Sequence, residues 1–254
     1  MTSSRILILQ TGEAVDAVAR AGNRFVPLFT SAVKDAGVPV EVRALDVRGR
    51  AGTDAIPALS DIDGVIVTGS AGMVDEDAGY MRFSVRIIRQ LLDEERPFLG
   101  VCFGHQLLGV CCGADVGPNP RGRQMGTVVV TREGAGARDD EPLLGGHPRS
   151  FSAQVTHRDV IRDPGPRLTV VASAPHDPVH AVRAGRVAWG VQFHPEFTVD
   201  TMRGYLDARA SVYDGDKGPG AAARARETVT ETKEARAVIA SFVRLADQER
   251  QRRA

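Results

Sequence analysis

The sequence lacks an excess of charge of either sign and a long apolar run. Lys plus Arg and Asp plus Glu number 32 each among its 254 residues, so the formal net charge is zero. Nucleic-acid binding and electrostatic attachment to a membrane both favour a basic excess, so neither is expected. No stretch approaches the about 18–20 uninterrupted apolar residues of a membrane-spanning helix. The first residues lack a signal-peptide layout, which predicts a cytoplasmic location.

Cysteine is also scarce, with three residues: Cys102, Cys111 and Cys112. An odd number without regular spacing fits a reducing compartment rather than a disulfide framework. Cys111 and Cys112 are adjacent and are expected to pack in the core. Four histidines that belong to no motif discussed below are His105, His147, His176 and His180. Their spacing is not that of metal ligands, and no metal and no cofactor are expected.

Cys102 lies in a motif of its own. Apolar residues from Phe98 lead up to it, Gly100 and Gly104 flank it at two-residue spacing, and a helical pattern follows. This pattern predicts a sharp strand-to-helix turn with a nucleophile at its tip. Glycine suits the flanking positions because the turn is strained and crowded. The helix dipole favours the thiolate form of the sulfur. The alternative is a buried cysteine that only packs.

A second motif ends another predicted strand. The apolar run 187–193 leads to His194, and Glu196 follows after one proline. A cysteine nucleophile needs a base, and the base needs a group that fixes its orientation. His194 and Glu196 could fill these two roles, whereas either residue alone would be expected in an ordinary loop.

These two motifs together resemble the class I glutamine amidotransferases of the triad type. The resemblance extends from about residue 5 to about residue 212 and is nearest to stand-alone proteins similar to the amidotransferase half of GMP synthetase. It implies that Cys102 attacks the side-chain amide of glutamine and forms a γ-glutamyl thioester, which water hydrolyses to glutamate. His194 would transfer the proton and Glu196 would hold His194.

The resemblance also assigns an oxyanion hole. One donor is the N–H of Phe103, the residue after the nucleophile. The other is the N–H of Gly69, in the loop that follows a predicted strand. The family usually has a Gly-Gly pair where this chain has Gly69-Ser70, which makes the shape of the loop an open question.

The glutamine pocket is implied in the same way. Gln106, one helical turn beyond the nucleophile, would form one wall. The segment around Thr156 and His157 would meet the α-amino and α-carboxylate groups of the substrate through its backbone. Arg158 stands where relatives commonly have glycine, so the pocket is expected to differ locally.

The periodicity predicts an α/β fold with a mostly parallel central sheet and helices on both faces. The resemblance makes this a flavodoxin-like amidotransferase architecture. Beyond residue 115, short β-rich runs predict an antiparallel or mixed extension, with a flexible connection over 134–140. Thr198 is the expected N-cap of a short helix. Residues 1–212 form the predicted amidotransferase domain, and 213–254 form a hinge and one long helix packed on it.

Three functions remain open at this point. The chain has no phosphate-binding loop and no Ser-Gly-Gly-x-Asp-Ser run, so ammonia made from glutamine would go to a separate synthase. The same thioester chemistry would serve a free-standing γ-glutamyl hydrolase or peptidase. The third hypothesis is a redox sensor or interaction module, which needs the cysteine but not the His-x-Glu motif. The apolar stripe of the last helix is expected to dock on the protein itself, with a homodimer contact as the alternative.

Overall fold

Strands and helices alternate through the first half of the chain, and strands dominate the second half. The structure is a computed structural model that describes residues 3–253, with the backbone alone at Asp75. The strands are β1 (Ser4–Gln10), β2 (Val40–Asp46), β3 (Gly64–Val67), β4 (Phe98–Val101), β5 (Asp115–Pro118), β6 (Gln124–Arg132), β7 (Ser150–His157), β8 (Asp159–Asp163), β9 (Thr169–Ala174), β10 (Asp177–Ala184) and β11 (Ala188–Val191). The helices are α1 (Asp16–Arg20), α2 (Phe25–Lys34), α3 (Gly79–Asp93), α4 (Phe103–Cys112), α5 (Val199–Ala208), α6 (Ala210–Lys217), α7 (Ala221–Glu227) and α8 (Lys233–Arg253).

The main sheet has the order β2-β1-β3-β4-β11-β10-β9-β6-β7. Strands β2, β1, β3, β4 and β11 pair in parallel, and the rest continue the sheet antiparallel. Every residue of β3, β4 and β11 is buried, as expected for parallel strands that are covered on both faces. The predicted parallel sheet with a β-rich extension is confirmed.

Helices cover both faces of the parallel part. The alternation of β1 sends Ile6 and Ile8 into one apolar cluster and Leu7 and Leu9 into the other, because successive side chains of a strand point to opposite faces. Helices α2 and α8 contribute to the first cluster, and α3 and α4 contribute to the second. Among residues 3–253, no helix is both long and apolar enough to cross a membrane.

Two features of the extension differ from the sequence expectation. Strands β5 and β8 form a separate antiparallel pair that was not predicted, because Gly117 and Pro118 interrupt the apolar pattern of β5. The connection at 134–140 is not loose: Gly134–Ala137 is a 3-10 turn. Buried Arg132 holds it by donating hydrogen bonds to backbone carbonyls on both sides, including those of Gly136 and Gly145.

The C-terminal segment is two helices rather than one. Helix α7 ends at Glu227 and α8 begins at Lys233. The sheet holds the segment between them: Thr230 donates its N–H to Thr127 Oγ1 at 3.1 Å, and its carbonyl accepts from Gln154 Nε2 at 2.8 Å. The preceding break falls at Gly218, after which α7 starts at residue 221.

The apolar stripe of α8 is occupied by the protein's own body. Helix α8 packs against α2, β1 and β7, and each stripe residue is fully buried: Val238, Ile239, Phe242, Val243 and Ala246. The stripe therefore packs on the same chain and is not available for a homodimer contact.

Candidate active site

Cys102 stands at the turn between β4 and α4. Its backbone has φ 51° and ψ −101°, a conformation that costs free energy and persists only where the surroundings enforce it. Its N–H donates to the Val191 carbonyl at 2.8 Å, which ties the turn to β11. A Cβ at Gly100 would lie 2.3 Å from the Gly104 oxygen, and one at Gly104 would lie 2.6 Å from the Val67 oxygen. The turn therefore requires glycine at both positions.

His194 follows β11 and is held from two sides. Its N–H donates to the Gln154 carbonyl at 2.8 Å, and its ring Nδ1 pairs with Glu196 Oε1 at 2.8 Å. Phe197 stacks on the ring with 4.1 Å between centroids. His194 and Glu196 are both buried, so the pair is shielded from water.

The electrostatics favour a charged His194. Burial lowers the pKa of the imidazole, but the carboxylate of Glu196 and then the Cys102 sulfur outweigh burial and raise that pKa. Among the described residues, Nε2 has no hydrogen bond of ordinary geometry. The Cys102 sulfur therefore acts on the imidazole, while Nδ1 is fixed by Glu196 Oε1.

Gly69 lies directly against this pair. A Cβ placed there would be 3.0 Å from His194 Cε1 and 3.7 Å from Cys102 Cβ, so one point of the loop touches both side chains. Thr11 holds the loop by donating its hydroxyl to the carbonyls of Thr68 at 2.9 Å and Gly69 at 3.3 Å. The amide of Phe103 is the first of α4 and has no partner within that helix.

Ser70 supports the loop at the position where the resemblance predicts a second glycine. Its Oγ accepts a hydrogen bond from the Gly72 N–H at 3.1 Å and lies 3.3 Å from the Tyr80 hydroxyl. Among the described non-glycine residues, Asp77, Glu95 and Cys102 have positive φ, so the backbone at Ser70 needs no glycine. The serine closes the turn through its side chain.

The expected pocket residues line the same crevice as Cys102 and His194. They are Gln106, Thr156, His157 and Arg158. The side-chain amide N–H groups of Gln106 are already hydrogen-bonded, because Nε2 donates to the Asp159 carbonyl at 2.7 Å and to Gln192 Oε1 at 3.2 Å. Within the described chain, Thr156 Oγ1 and both ring nitrogens of His157 are buried without a hydrogen-bond partner. Such groups are rare in native proteins and are available to a ligand.

Arg158 differs from its buried neighbours. It is exposed, and its Nη1 lies 3.4 Å from Met73 Sδ, across the mouth of the crevice. At a position where the resemblance predicts glycine, Arg158 therefore adds a positive charge to the crevice.

Several crevice residues carried no signal in the sequence. They come from separate loops and helices and belong to no motif: Glu13, Phe25, Arg123, Tyr205 and Arg209. Glu13 accepts the N–H groups of Ala14 and Phe25 at 3.0 Å each. Burial raises the pKa of its carboxyl, but these two amides and Arg24 outweigh it and lower that pKa.

Two further buried histidines, His180 and His105, lie near His157. His180 Nδ1 pairs with Asp177 Oδ2 at 3.0 Å with both side chains fully buried, and the His157 ring centroid is 5.9 Å from that of His180. Burial, followed by the neighbouring His180, lowers the pKa of His157 to about 3. Burial also lowers the pKa of His105 to about 4. Residues 3–253 contain no group of three or more His, Cys, Asp or Glu side chains arranged to hold a metal ion.

Cys111 and Cys112 lie on the buried side of α4. Both are free thiols in the second apolar cluster. Burial raises the pKa of Cys111 to about 12, so this thiol stays protonated. Neither cysteine is among the described residues that line the crevice, which agrees with the expectation that they pack in the core.

The chain matches one protein-family model and two differently named groups of curated relatives. A family model described as glutamine amidotransferase class-I matches residues 18–209. A GMP synthase (glutamine-hydrolysing) of Aeropyrum pernix is 30% identical over 183 residues, which cover 69% of this chain and 31% of that protein. Gamma-glutamyl peptidase 5 of Arabidopsis thaliana is 26% identical over 149 residues, 59% of each chain. The chain spans about a third of the length of the GMP synthases that it matches.

The fold also matches a solved structure. A crystal structure of a glutamine amidotransferase from Thermotoga maritima superposes with a TM-score of 0.73 at 20% identity, and covers 97% of this chain and 99% of that one. At this identity the likeness concerns the fold alone.

Proposed function

Since the chain belongs to the class I glutamine amidotransferase family, we propose that it hydrolyses the side-chain amide of glutamine and delivers the ammonia to a separate synthase. The observation that carries the proposal is the pairing of a strained cysteine turn with a buried imidazole–carboxylate pair at one crevice. The proposed reaction is acyl transfer through a thioester on Cys102.

The first half-reaction forms the thioester. The Cys102 thiol gives its proton to His194 Nε2, and Sγ attacks the γ-carbonyl carbon of glutamine. The amide C–N bond then breaks, and the imidazolium returns the proton to the leaving nitrogen, which departs as ammonia. Glu196 supports both steps, because its carboxylate orients Nδ1 and favours the charged imidazole.

The second half-reaction releases glutamate. A water molecule takes the place of the departed ammonia and gives its proton to His194 as its oxygen attacks the thioester carbonyl. The C–S bond breaks, and the proton passes from the imidazolium to the Cys102 sulfur. The same base thus serves both halves of the cycle.

Negative charge develops on the carbonyl oxygen in both halves. The amides of Phe103 and Gly69 are the proposed donors. The position of Gly69 supports this role, since its missing Cβ would contact both Cys102 and His194. A preorganised donor of this kind lowers a barrier by about 3–4 kcal/mol.

The glutamyl group is proposed to lie against Gln106, Thr156, His157 and Arg158. Support comes from the unpartnered polar atoms of Thr156 and His157, which a substrate could satisfy. Gln106 contributes shape rather than a free amide N–H, because its Nε2 is bonded to Asp159 and Gln192.

The test is glutamate release by the purified protein, alone and with candidate synthases encoded beside it. Wild type is expected to release glutamate, and Cys102→Ala is expected to abolish release without unfolding the protein. Wild-type turnover in Cys102→Ala would show that another group is the nucleophile.

A second candidate is a free-standing γ-glutamyl hydrolase. A relative named gamma-glutamyl peptidase supports it, and the thioester steps are identical except that an amine replaces ammonia as the leaving group. A panel of γ-glutamyl amides distinguishes the two functions. Hydrolysis of glutamine with inertness toward every larger amide would remove this candidate.

Location and organisation are proposed on separate grounds. Three free thiols, one of them the proposed nucleophile, fit a reducing cytoplasm. We also propose that residues 1–212 form the amidotransferase domain and that residues 213–254 extend it. The family match over 18–209 and the packing of α8 on α2 and β7 support this division.

A further inference from the structure

Arg209 presents an uncompensated cation to the crevice. Its half-buried guanidinium lines the same crevice as Cys102 and His194. It lies 5.9 Å above the centroid of the Tyr205 ring, and it makes no hydrogen bond or ion pair within the described residues. Arginines withdrawn from water are normally paired, so this one is available for an anion from outside the chain.

The position of Arg209 relates it to the leaving group. Stacked rings connect His194 with Arg209: Phe197 lies 4.1 Å from His194, Tyr205 lies 5.0 Å from Phe197, and the guanidinium lies over Tyr205. Since His194 protonates the departing nitrogen in the proposed reaction, a group attached to that nitrogen would lie in the crevice that Arg209 also lines. The proposed glutamyl residues Gln106 and Thr156 belong to α4 and β7, which are separate elements.

The surrounding charges leave the cation unbalanced. Arg123 is a close neighbour, and its Nε is already paired with Asp216 at 3.1 Å. Glu13 faces the crevice too, but its Oε1 accepts from the N–H groups of Ala14 and Phe25, and its Oε2 pairs with Arg24 Nε at 3.3 Å. Burial is the main cause that lowers the pKa of Arg209 and Arg123 adds to it, whereas Tyr205 and Cys102 act against it; a guanidinium nevertheless stays protonated in proteins. Ammonia has no use for such a cation, whereas a carboxylate would neutralise it.

We propose that Arg209 binds a carboxylate carried by the leaving group, which develops the second candidate function: its preferred substrates would be γ-glutamyl amides of amino acids or short peptides. This inference rests on the thioester chemistry proposed above. The Cys102 Sγ–C bond forms, the γ-amide C–N bond breaks, and His194 protonates the departing amino group. Water then cleaves the thioester, and the products are glutamate and a free amino acid or peptide.

The test compares two substrates that differ in one carboxylate, γ-glutamylalanine and γ-glutamylethylamide. The readout is the ratio of their kcat/KM values, in wild type, Arg209→Gln and Arg209→Lys. We expect wild type to prefer γ-glutamylalanine and Arg209→Gln to lower the ratio by about 10- to 100-fold, the size of a lost charge-assisted hydrogen bond. Arg209→Lys should keep part of the preference, because it keeps the charge. Arg43→Gln, on the exposed strand β2, is the control and should leave the ratio unchanged.

A binding measurement separates this inference from the proposed function. In Cys102→Ala, which cannot turn over, γ-glutamylalanine should bind more tightly than in the Cys102→Ala, Arg209→Gln double variant, by a similar factor. Discrimination in binding with no turnover in wild type would overturn the hydrolytic function and support the carboxylate site. Equal losses for both substrates would assign Arg209 to the shared glutamyl group and overturn the inference, as would a wild type without preference.

Discussion

Replacing Glu196 by glutamine is expected to disable the site while keeping its shape. Glutamine has nearly the size of glutamate and retains an oxygen that can accept from His194 Nδ1, now 2.8 Å from the carboxylate. It removes the negative charge that, once burial is counted, most strongly raises the pKa of His194. The variant therefore separates the charge of Glu196 from its volume.

The size of the effect follows from burial. Glu196 is fully buried and His194 is 2% exposed, so solvent screens their interaction weakly. Removing the charged partner of such a hydrogen bond costs about 2–4 kcal/mol. The upper figure is the Coulomb energy of two unit charges in contact at an effective dielectric constant of about 20. If the loss falls on the transition state, kcat/KM decreases by about 30- to 1,000-fold.

The pH dependence gives a second readout with a defined sign. The native pKa of His194 is raised, so the imidazolium survives above its ordinary range in wild type. Glu196→Gln lowers that pKa, and the alkaline limb of activity is expected to move to lower pH. The same linkage applies to stability: the contribution of His194 is fully present below its unfolded pKa of about 6.5 and is lost as the pH rises through the raised native value.

Hydrolysis of a chromogenic γ-glutamyl anilide between pH 6 and 10 measures both effects. Glu227→Gln, at the exposed end of α7, is the matched control and should behave as wild type. Denaturant unfolding of Glu196→Gln checks that the fold persists. A folded Glu196→Gln variant with wild-type kcat/KM and an unshifted alkaline limb would refute the role of the carboxylate.

Three further predictions concern the turn, the last helix and the buried histidines. In Gly104→Ala the new Cβ would lie 2.6 Å from a backbone oxygen, so the free energy of unfolding should decrease by about 1–3 kcal/mol and activity should be lost. Gly146→Ala has open space around its Cβ and should show neither effect. Phe242→Ala should lower the free energy of unfolding by about 3–5 kcal/mol. Val212→Ala, at a side chain that is 48% exposed, should change it by no more than about 0.5 kcal/mol. Equal losses in the two variants would contradict the docking of α8. His157, with its pKa lowered to about 3, should make the protein less stable as the pH falls below about 6.5, by about 1.4 kcal/mol per pH unit. His157→Gln should lessen that slope in denaturant titrations at pH 5 and 6, and an unchanged slope would count against a neutral buried imidazole.

The sequence was most informative where chemistry and backbone geometry coincide in one short run. The Cys102 turn could be predicted because a strand, two glycines and a helix start stand within seven residues. His194 and Glu196 are two residues apart, so their pairing needed no knowledge of the fold. The two motifs follow β4 and β11, and these strands are parallel neighbours in the sheet.

The rest of the crevice could not be read from the sequence because its residues are neighbours only in space. Arg209 and Glu13 lie in connections nearly two hundred positions apart, and neither has a motif around it. The break before α8 was missed for a related reason. Helical periodicity continues through that region, but Thr230 takes its hydrogen bonds from Thr127 and Gln154 of the sheet, which no local pattern reveals.

Mass spectrometry after treatment with a diazoketone analogue of glutamine tests the central claim most directly. The analogue presents an electrophilic carbon where the γ-amide would lie, so a thiol activated at the glutamine site should capture it. The account predicts a single adduct on the folded protein, on the peptide that contains Cys102, with much slower labelling in His194→Ala. Labelling of Cys111 or Cys112 instead, or no adduct on folded protein, would contradict it.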